Sequence, residues 1–275
     1  MNTFSNQPKL ITSLTNDRIK AIRALDMRKV RKETGLFVAE GASLLVTARD
    51  NGFKPDTIVY QAGSIESGIN KGLVTWALKE GAEVLEVSAQ VLAKLASKDN
   101  PQTMLGVFRQ RFAGAPKPGD VAKDATWLVL EEVRDPGNLG TIIRTCDAVG
   151  VAGVILAGAC CDPYSLEAIR ATMGSIFAMP LVKMDPEALL QLAASWPGDV
   201  VATDLEATDD FRKVTYRGPQ LVVMGSEGPG LSPALSKAAT RHVKIPMSGH
   251  LDSLNLAIAT ALTLYHIRGP HLKLD

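Results

Sequence analysis

The distribution of apolar and polar positions predicts an α/β fold. In the C-terminal half, short apolar runs alternate with amphipathic segments, and residues 221–224 are apolar without interruption. Uninterrupted apolar strands are typical of a parallel sheet covered by helices on both faces. Because such sheets bind ligands beyond the carboxyl ends of their strands, we expect functional residues in the following loops. Strands are predicted at 127–130, 153–156, 200–203, 220–224 and 242–245, and helices at 139–149, 165–172, 186–195, 233–238 and 253–267.

The N-terminal part alternates in the same way, over shorter elements. Asn16 and Asp17 are suitable caps for a first helix that keeps its basic residues outside. Its apolar positions are Ile19, Ile22, Leu25 and Val30. Further strands are predicted at 35–39, 57–60, 84–87 and 104–108, and helices at 41–51, 74–80 and 91–96. This order predicts a small α/β sandwich.

A break in the pattern divides the chain. Residues 113–120 hold two Pro and two Gly and lack apolar periodicity, as a linker does. We therefore expect an N-terminal domain at 1–112, a linker at 113–124 and a C-terminal domain at 125–275.

Composition excludes several classes of protein. A hydrophobic content of 46% is ample for a core, yet no apolar run reaches the length of about 18 residues that spans a bilayer. Residues 1–9 are polar, unlike a signal peptide. The three cysteines form no Cys-x-x-Cys pair, and the four histidines lack metal-ligand spacing. We expect a cytoplasmic protein that binds neither a metal nor a membrane.

The net charge of +1 hides an asymmetry between the two halves. Residues 1–115 hold 16 Lys/Arg against 11 Asp/Glu, whereas residues 116–275 hold 14 against 18. A basic cluster at 18–32 is opposed only by Asp26, and such a patch suits a nucleic acid. A solvated helix face is the alternative. The candidate contacts are Arg23, Arg28, Lys29, Arg31 and Lys32.

Two loops that follow predicted strands carry candidate chemistry. At 135–140, Asn138 stands at a helix start, and Arg144 lies opposite the apolar stripe, where it is able to bind a phosphate bidentately. An Asn-capped helix without further function is the alternative. At 225–231, three glycines lack the Lys-Ser/Thr of a P-loop, which argues against nucleoside triphosphate binding, and they lack the dinucleotide fingerprint, which argues against a dehydrogenase. Gly225 permits close approach of a flat ligand, with the Glu227 carboxylate nearby.

A third segment joins 245–247 to 253–255. Asp252 and Ser253 are expected to cap a helix rich in alanine and apolar nearly all round, and therefore buried. A core helix with a serine cap explains this segment equally well from the residues alone.

In this order and at this spacing, the three segments resemble the motifs of the SpoU (TrmH-like) family of RNA ribose 2′-O-methyltransferases, in the SPOUT superfamily. The resemblance covers residues 126–268. It implies a parallel-sheet domain with a trefoil knot, S-adenosylmethionine as methyl donor, and a homodimer that completes the active site. Residues 10–110 resemble more faintly an RNA-binding domain similar to a ribosomal protein.

The resemblance also assigns residues. Catalysis and RNA positioning fall to Asn138, Arg144, Glu227, Ser253 and Asn255. Donor binding falls to Thr203, Gly225, Ile245, Met247 and Leu254. Arg170 is matched to a phosphate contact. Ala257 departs from the family pattern, which carries a second Ser or Thr there.

The expected reaction is methyl transfer to a ribose 2′-hydroxyl, with large-subunit ribosomal RNA as the first candidate substrate, because a separate N-terminal RNA-binding lobe is typical of such members. A transfer-RNA methyltransferase is one alternative. A catalytically silent RNA-binding or ribosome-assembly protein on the same scaffold is another.

Overall fold

The chain folds into two compact units in a computed structural model that describes residues 10–66, 68–96, 102–250 and 253–273. Met1–Gln110 and Tyr164–Phe177 form the first unit, and Arg111–Pro163 and Ala178–Asp275 form the second. The first boundary lies near the predicted one. The segment Tyr164–Phe177, which we expected in the C-terminal domain, is instead part of the first unit, because its aromatic rings pack on Phe37 at centroid distances of 4.6 and 6.0 Å.

The first unit is a five-stranded sheet with helices against it. The strand order is β1-β4-β3-β5-β2, and β5 runs antiparallel to both of its neighbours. The strands are β1 Leu10–Ile11, β2 Leu36–Glu40, β3 Pro55–Gln61, β4 Glu83–Val87 and β5 Met104–Arg109. The helices are α1 Asp17–Ala24, α2 Arg28–Thr34, α3 Ala42–Asp50, α4 Gly68–Lys79 and α5 Ala89–Leu95. The predicted α/β sandwich is confirmed, although the short β1 was not expected.

The predicted first helix is in fact two helices, and this corrects one site residue. The chain is extended at Met27, between α1 and α2. The guanidinium of Arg31 turns back and donates to the carbonyls of Leu25 and Asp26 at 2.8 and 2.7 Å, which the end of a helix leaves without partners. Arg31 is only 4% exposed, so its assignment to an RNA-binding surface was wrong.

The second unit is a seven-stranded sheet in which every pairing is parallel, as predicted. The order is β10-β12-β9-β11-β6-β7-β8. The strands are β6 Thr126–Glu131, β7 Gly153–Ala157, β8 Leu181–Met184, β9 Val200–Thr203, β10 Asp209–Asp210, β11 Gln220–Met224 and β12 Arg241–Lys244. The helices are α6 Pro136–Ala148, α8 Pro186–Ala194, α9 Pro233–Ala238 and α10 Leu256–Arg268, while α7 Leu166–Thr172 lies in the segment that belongs to the first unit.

Helix α10 differs from its prediction at its start and on one face. Its cap is Asn255, whose side chain accepts hydrogen bonds from two backbone N–H groups, and Asp252 lies outside the described residues. A face of the helix is not buried, since Ile258, Leu262 and Tyr265 are 51%, 42% and 51% exposed. None of the helices among the described residues combines the length and the apolar character that a membrane span requires.

Candidate active site

A cavity of about 390 Å³ opens at the carboxyl ends of three neighbouring strands, β9, β11 and β12. Its position agrees with the general location of ligand sites in parallel sheets. All five residues predicted to bind the donor line it, namely Thr203, Gly225, Ile245, Met247 and Leu254. Segments far apart in the sequence therefore meet at one site.

The cavity has apolar walls and a few polar groups. Met224, Ile245 and Leu254 supply apolar surface, and the hydroxyl of Thr203 donates to the thioether of Met224 at 3.2 Å. Glu227 and Asn255 supply polar groups at the lining. A cavity with these features suits an organic molecule that has a flat apolar part and a polar end.

The structure changes the reason for glycine at position 225. A Cβ atom there would lie 2.1 Å from the carbonyl carbon of Gly230 and 2.3 Å from the nitrogen of Leu231. The loop closes on itself through two hydrogen bonds between the backbones of Ser226 and Gly230, at 3.1 and 3.0 Å. Gly225 lines the cavity, but glycine is needed there because a side chain would collide with the backbone of Gly230 and Leu231 in the same loop.

Asn138 connects the first motif to the other two. Its Nδ2 donates to Oε1 of Glu227, and its Oδ1 accepts from Nδ2 of Asn255 at 2.9 Å. The cap of α6 is Asp135, which accepts from the Asn138 backbone N–H at 2.6 Å. Because Asp135 takes the capping role, the Asn138 side chain is free for these contacts, and the alternative of a simple Asn-capped helix was wrong.

The orientation of this hydrogen-bond relay is set by α10. Asn255 Oδ1 accepts from the N–H groups of Ala257 and Ile258 at 2.9 and 3.3 Å, so only its Nδ2 is left to face Asn138. Asn138 must then present its oxygen to Asn255 and its nitrogen to Glu227, since an amide side chain has one end of each kind. The cap of α10 thereby directs the Nδ2 group of Asn138, a hydrogen-bond donor, at the Glu227 carboxylate.

Arg144 is not part of this assembly. It lies on α6, about 9 Å along the axis and about 120° around it from Asn138. Its side chain is exposed, it does not line the cavity, and it has no hydrogen-bond or ion-pair partner among the described residues. Ser253, in contrast, lines the cavity.

The other basic candidates separate into two groups. Arg23, Arg28, Lys29 and Lys32 are exposed on the first unit, as a contact surface for phosphates requires. Arg170 instead pairs with Glu40 at 2.7 Å, and the Glu40 side chain is 4% exposed. The guanidinium of Arg170 thus holds an internal carboxylate within the first unit, which replaces the phosphate contact we expected.

Some lining residues escaped the sequence analysis. Asp204, Leu205, Ser226 and Leu256 also line the cavity. In the sequence, only their position next to predicted residues could have identified them, because the pattern of a single segment does not show which loops meet in the fold.

Comparisons with known proteins identify the family of this chain. The SpoU rRNA Methylase family matches residues 125–265, and an MRM3-like substrate binding domain matches residues 16–106. The chain therefore belongs to the SpoU rRNA methylase family, as its motifs predicted.

Relatives match over nearly the full chain. An uncharacterized tRNA/rRNA methyltransferase of Synechocystis is 34% identical, over 94% of this chain and 93% of the relative. The 23S rRNA (guanosine(2553)-2′-O)-methyltransferase RlmP of Bacillus subtilis is 28% identical, over 95% and 100%. The crystal structure of an AdoMet-bound rRNA methyltransferase from Sinorhizobium meliloti is 41% identical with a TM-score of 0.89, and the match covers 97% of this chain and 100% of that one.

Proposed function

We propose that this protein transfers a methyl group from S-adenosylmethionine to a ribose 2′-hydroxyl in RNA. The observation that carries the proposal is the relay of Asn255, Asn138 and Glu227 beside the cavity, because it unites all three family motifs at one point. The similar Bacillus subtilis protein is named for 2′-O-methylation, and the similar Sinorhizobium meliloti structure contains AdoMet.

The residues of the cavity fit this methyl donor. Its apolar walls, with Ile245 and Leu254 among them, suit an adenine ring, and the loop at 225–231 offers backbone groups along the same surface. When bound, the donor supplies an electrophilic methyl group on a sulfonium. The task of the protein is then to hold the hydroxyl in line with that group and to exclude other geometries.

The polar residues have separate tasks in this mechanism. One oxygen of Glu227 is engaged by Asn138, and its other oxygen makes no hydrogen bond among the described residues, so it is able to accept from a substrate hydroxyl. Arg144 holds a phosphate beside the reacting ribose and stabilises the negative charge that develops on the 2′-oxygen as its proton moves to the unengaged oxygen of Glu227. A guanidinium is a poor base, so the charge-stabilising task is its physical role.

We infer that the substrate is large-subunit ribosomal RNA. The match of the first unit to a substrate binding domain and its exposed Arg23, Arg28, Lys29 and Lys32 support a separate RNA contact. The named action of the Bacillus subtilis relative on 23S rRNA supports the choice of RNA. A transfer-RNA substrate is the alternative. A silent RNA-binding protein is disfavoured, because the relay and the cavity are both intact.

The active form in this proposal is a homodimer. Ile258, Leu262 and Tyr265 form an exposed apolar stripe on α10, and exposed apolar patches mark interfaces. Arg144 does not line the cavity of its own protomer, so we place it at the cavity of the partner. The trefoil knot in the second unit, the ribosomal-protein likeness of the first, and the cytoplasmic location belong to the same proposal and rest on the family resemblance.

Three experiments test this proposal. Calorimetry with the wild-type chain must show binding of S-adenosylmethionine. Mapping of ribose methylation in RNA from a deletion strain identifies the nucleotide, and an unchanged map would refute the assigned activity.

The third experiment mixes Arg144→Ala with Glu227→Ala chains, each inactive alone. If Arg144 serves the partner's cavity, random exchange of protomers restores about one quarter of wild-type activity, since half of the dimers are mixed and each has one intact site. If Arg144 serves its own cavity, every site carries a defect and no activity returns.

A further inference from the structure

A buried carboxylate outside the three motifs contacts the loop of the second one. Glu131 is the last residue of β6 and is 9% exposed. Its Oε2 accepts from the backbone N–H of Ser232 at 2.7 Å, and this is its only hydrogen bond among the described residues. A buried carboxylate with a single partner is costly, so stability alone does not explain an acid at this position.

Ser232 lies directly after the loop of residues 225–231, which contributes to the lining of the cavity. The loop leaves β11 at Gly225, closes through the Ser226 and Gly230 backbones, and enters α9 after Ser232. Among the described residues, only two side chains from elsewhere bond to this loop and its end: Asn138 at Glu227 and Glu131 at the Ser232 N–H. Glu131 therefore holds the C-terminal end of the loop at Ser232, and Asn138 holds the loop at Glu227.

We propose that Glu131 is a positioning residue for the methyl donor. Its carboxylate holds the Ser232 backbone so that the loop from Gly225 to Gly230 keeps its closed form, which shapes one wall of the cavity. The donor then binds a preformed wall and need not order the loop itself, and preorganisation of this kind raises affinity. This inference rests on the proposed function, because it concerns the site of the same donor.

The test is the affinity of the full-length chain for S-adenosylmethionine, measured by calorimetry. Glu131→Met keeps much of the side-chain volume but removes the acceptor, and we expect the donor to bind about tenfold more weakly, as for a lost hydrogen bond to a charged group. Glu131→Gln retains an amide oxygen that accepts from the Ser232 N–H, so its affinity should stay within about threefold of wild type.

A matched control separates the loop from the helix that follows it. Ser232→Ala removes the hydroxyl that caps α9, which accepts from Leu235 N at 3.3 Å, but leaves the backbone N–H that Glu131 holds. We expect this variant to lose stability, yet to bind the donor within about twofold of wild type. If Glu131→Met does not fold, Glu131→Asp replaces it in the test. The aspartate side chain is shorter by one methylene group, so its carboxylate lies about 1.5 Å farther from the Ser232 backbone N–H.

The outcomes are distinguishable. Wild-type affinity in Glu131→Met, or in Glu131→Asp if that variant is used, would overturn the positioning role. If Glu131→Gln loses as much affinity for the methyl donor as Glu131→Met, the lost hydrogen-bond acceptor is not the cause. If Ser232→Ala loses as much affinity as Glu131→Met, the effect belongs to α9 and not to the loop. Absence of donor binding in the wild type would refute the proposed function and this inference together.

Discussion

The direction of the relay gives a sharp prediction for Asn255→Asp. Asparagine and aspartate are about equally good helix caps. Aspartate therefore keeps the acceptor for the N–H groups of Ala257 and Ile258, and its charge adds a favourable interaction with the start of α10. It has no N–H to donate, so the Oδ1 atom of Asn138 would face a carboxylate. Asn138 is then expected to rotate its amide and point its oxygen at Glu227.

The magnitude follows from the bond that is lost. A hydrogen bond to a charged group contributes about 1.5–3 kcal/mol, and the rotated amide replaces the Asn138–Glu227 bond with a repulsive contact. At about 1.4 kcal/mol for each tenfold change in rate, methyl transfer should fall about a hundredfold. The free energy of unfolding should change by less than about 0.5 kcal/mol, because the cap remains and the rotated Asn138 amide donates to the new carboxylate instead of to Glu227. Single-turnover methylation at saturating donor and RNA, with thermal unfolding of the same samples, measures both quantities.

The first unit offers a matched control at the cap of α1. Asn16 caps that helix by accepting from the N–H groups of Arg18 and Ile19, in the same way that Asn255 caps α10. Asn16→Asp should leave the rate of methyl transfer within about twofold, because this cap has no contact with the relay. If Asn255→Asp methylates within about threefold of the wild-type rate, the direction of the Asn138 amide does not matter to the chemistry and the relay has no catalytic role.

Three other predictions concern the loop at Gly225, Arg144 and the basic surface of the first unit. Gly225→Ala should weaken donor binding and also lower the unfolding temperature, because its Cβ meets the Gly230 backbone; calorimetry and thermal unfolding check this, and unchanged stability would contradict the loop-closure argument. Arg144→Ala should bind the donor normally but methylate at least about a hundredfold more slowly, with poor rescue by Arg144→Lys, in single-turnover assays. Replacing Arg23, Lys29 and Lys32 with Ala should reduce the log–log salt slope of RNA binding by about 0.7–0.9 per lost phosphate contact, and an unchanged slope would assign them to a solvated face.

Several predictions from the sequence failed where a local pattern did not show the surroundings. Arg31 belongs to a basic run, yet the break between α1 and α2 frees two carbonyls that capture its guanidinium. Arg170 likewise has a partner 130 positions away in the chain, Glu40. No periodicity shows such a partner. Charge runs therefore predicted the basic surface as a whole better than its individual members.

The class of fold, the parallel sheet and the family were predictable from the amino-acid sequence alone, and so were five of the residues that line the cavity. These follow from apolar runs, turn residues and motif order, all of which are local in the chain. How the three motifs cooperate depends on the tertiary structure. It brought Asn138, Glu227 and Asn255 into one relay, made Gly225 a requirement of loop closure, and left Arg144 outside the cavity. Hydrogen-bond direction and close packing depend on groups that meet only after the strands and helices have assembled, so no local pattern in the chain shows them.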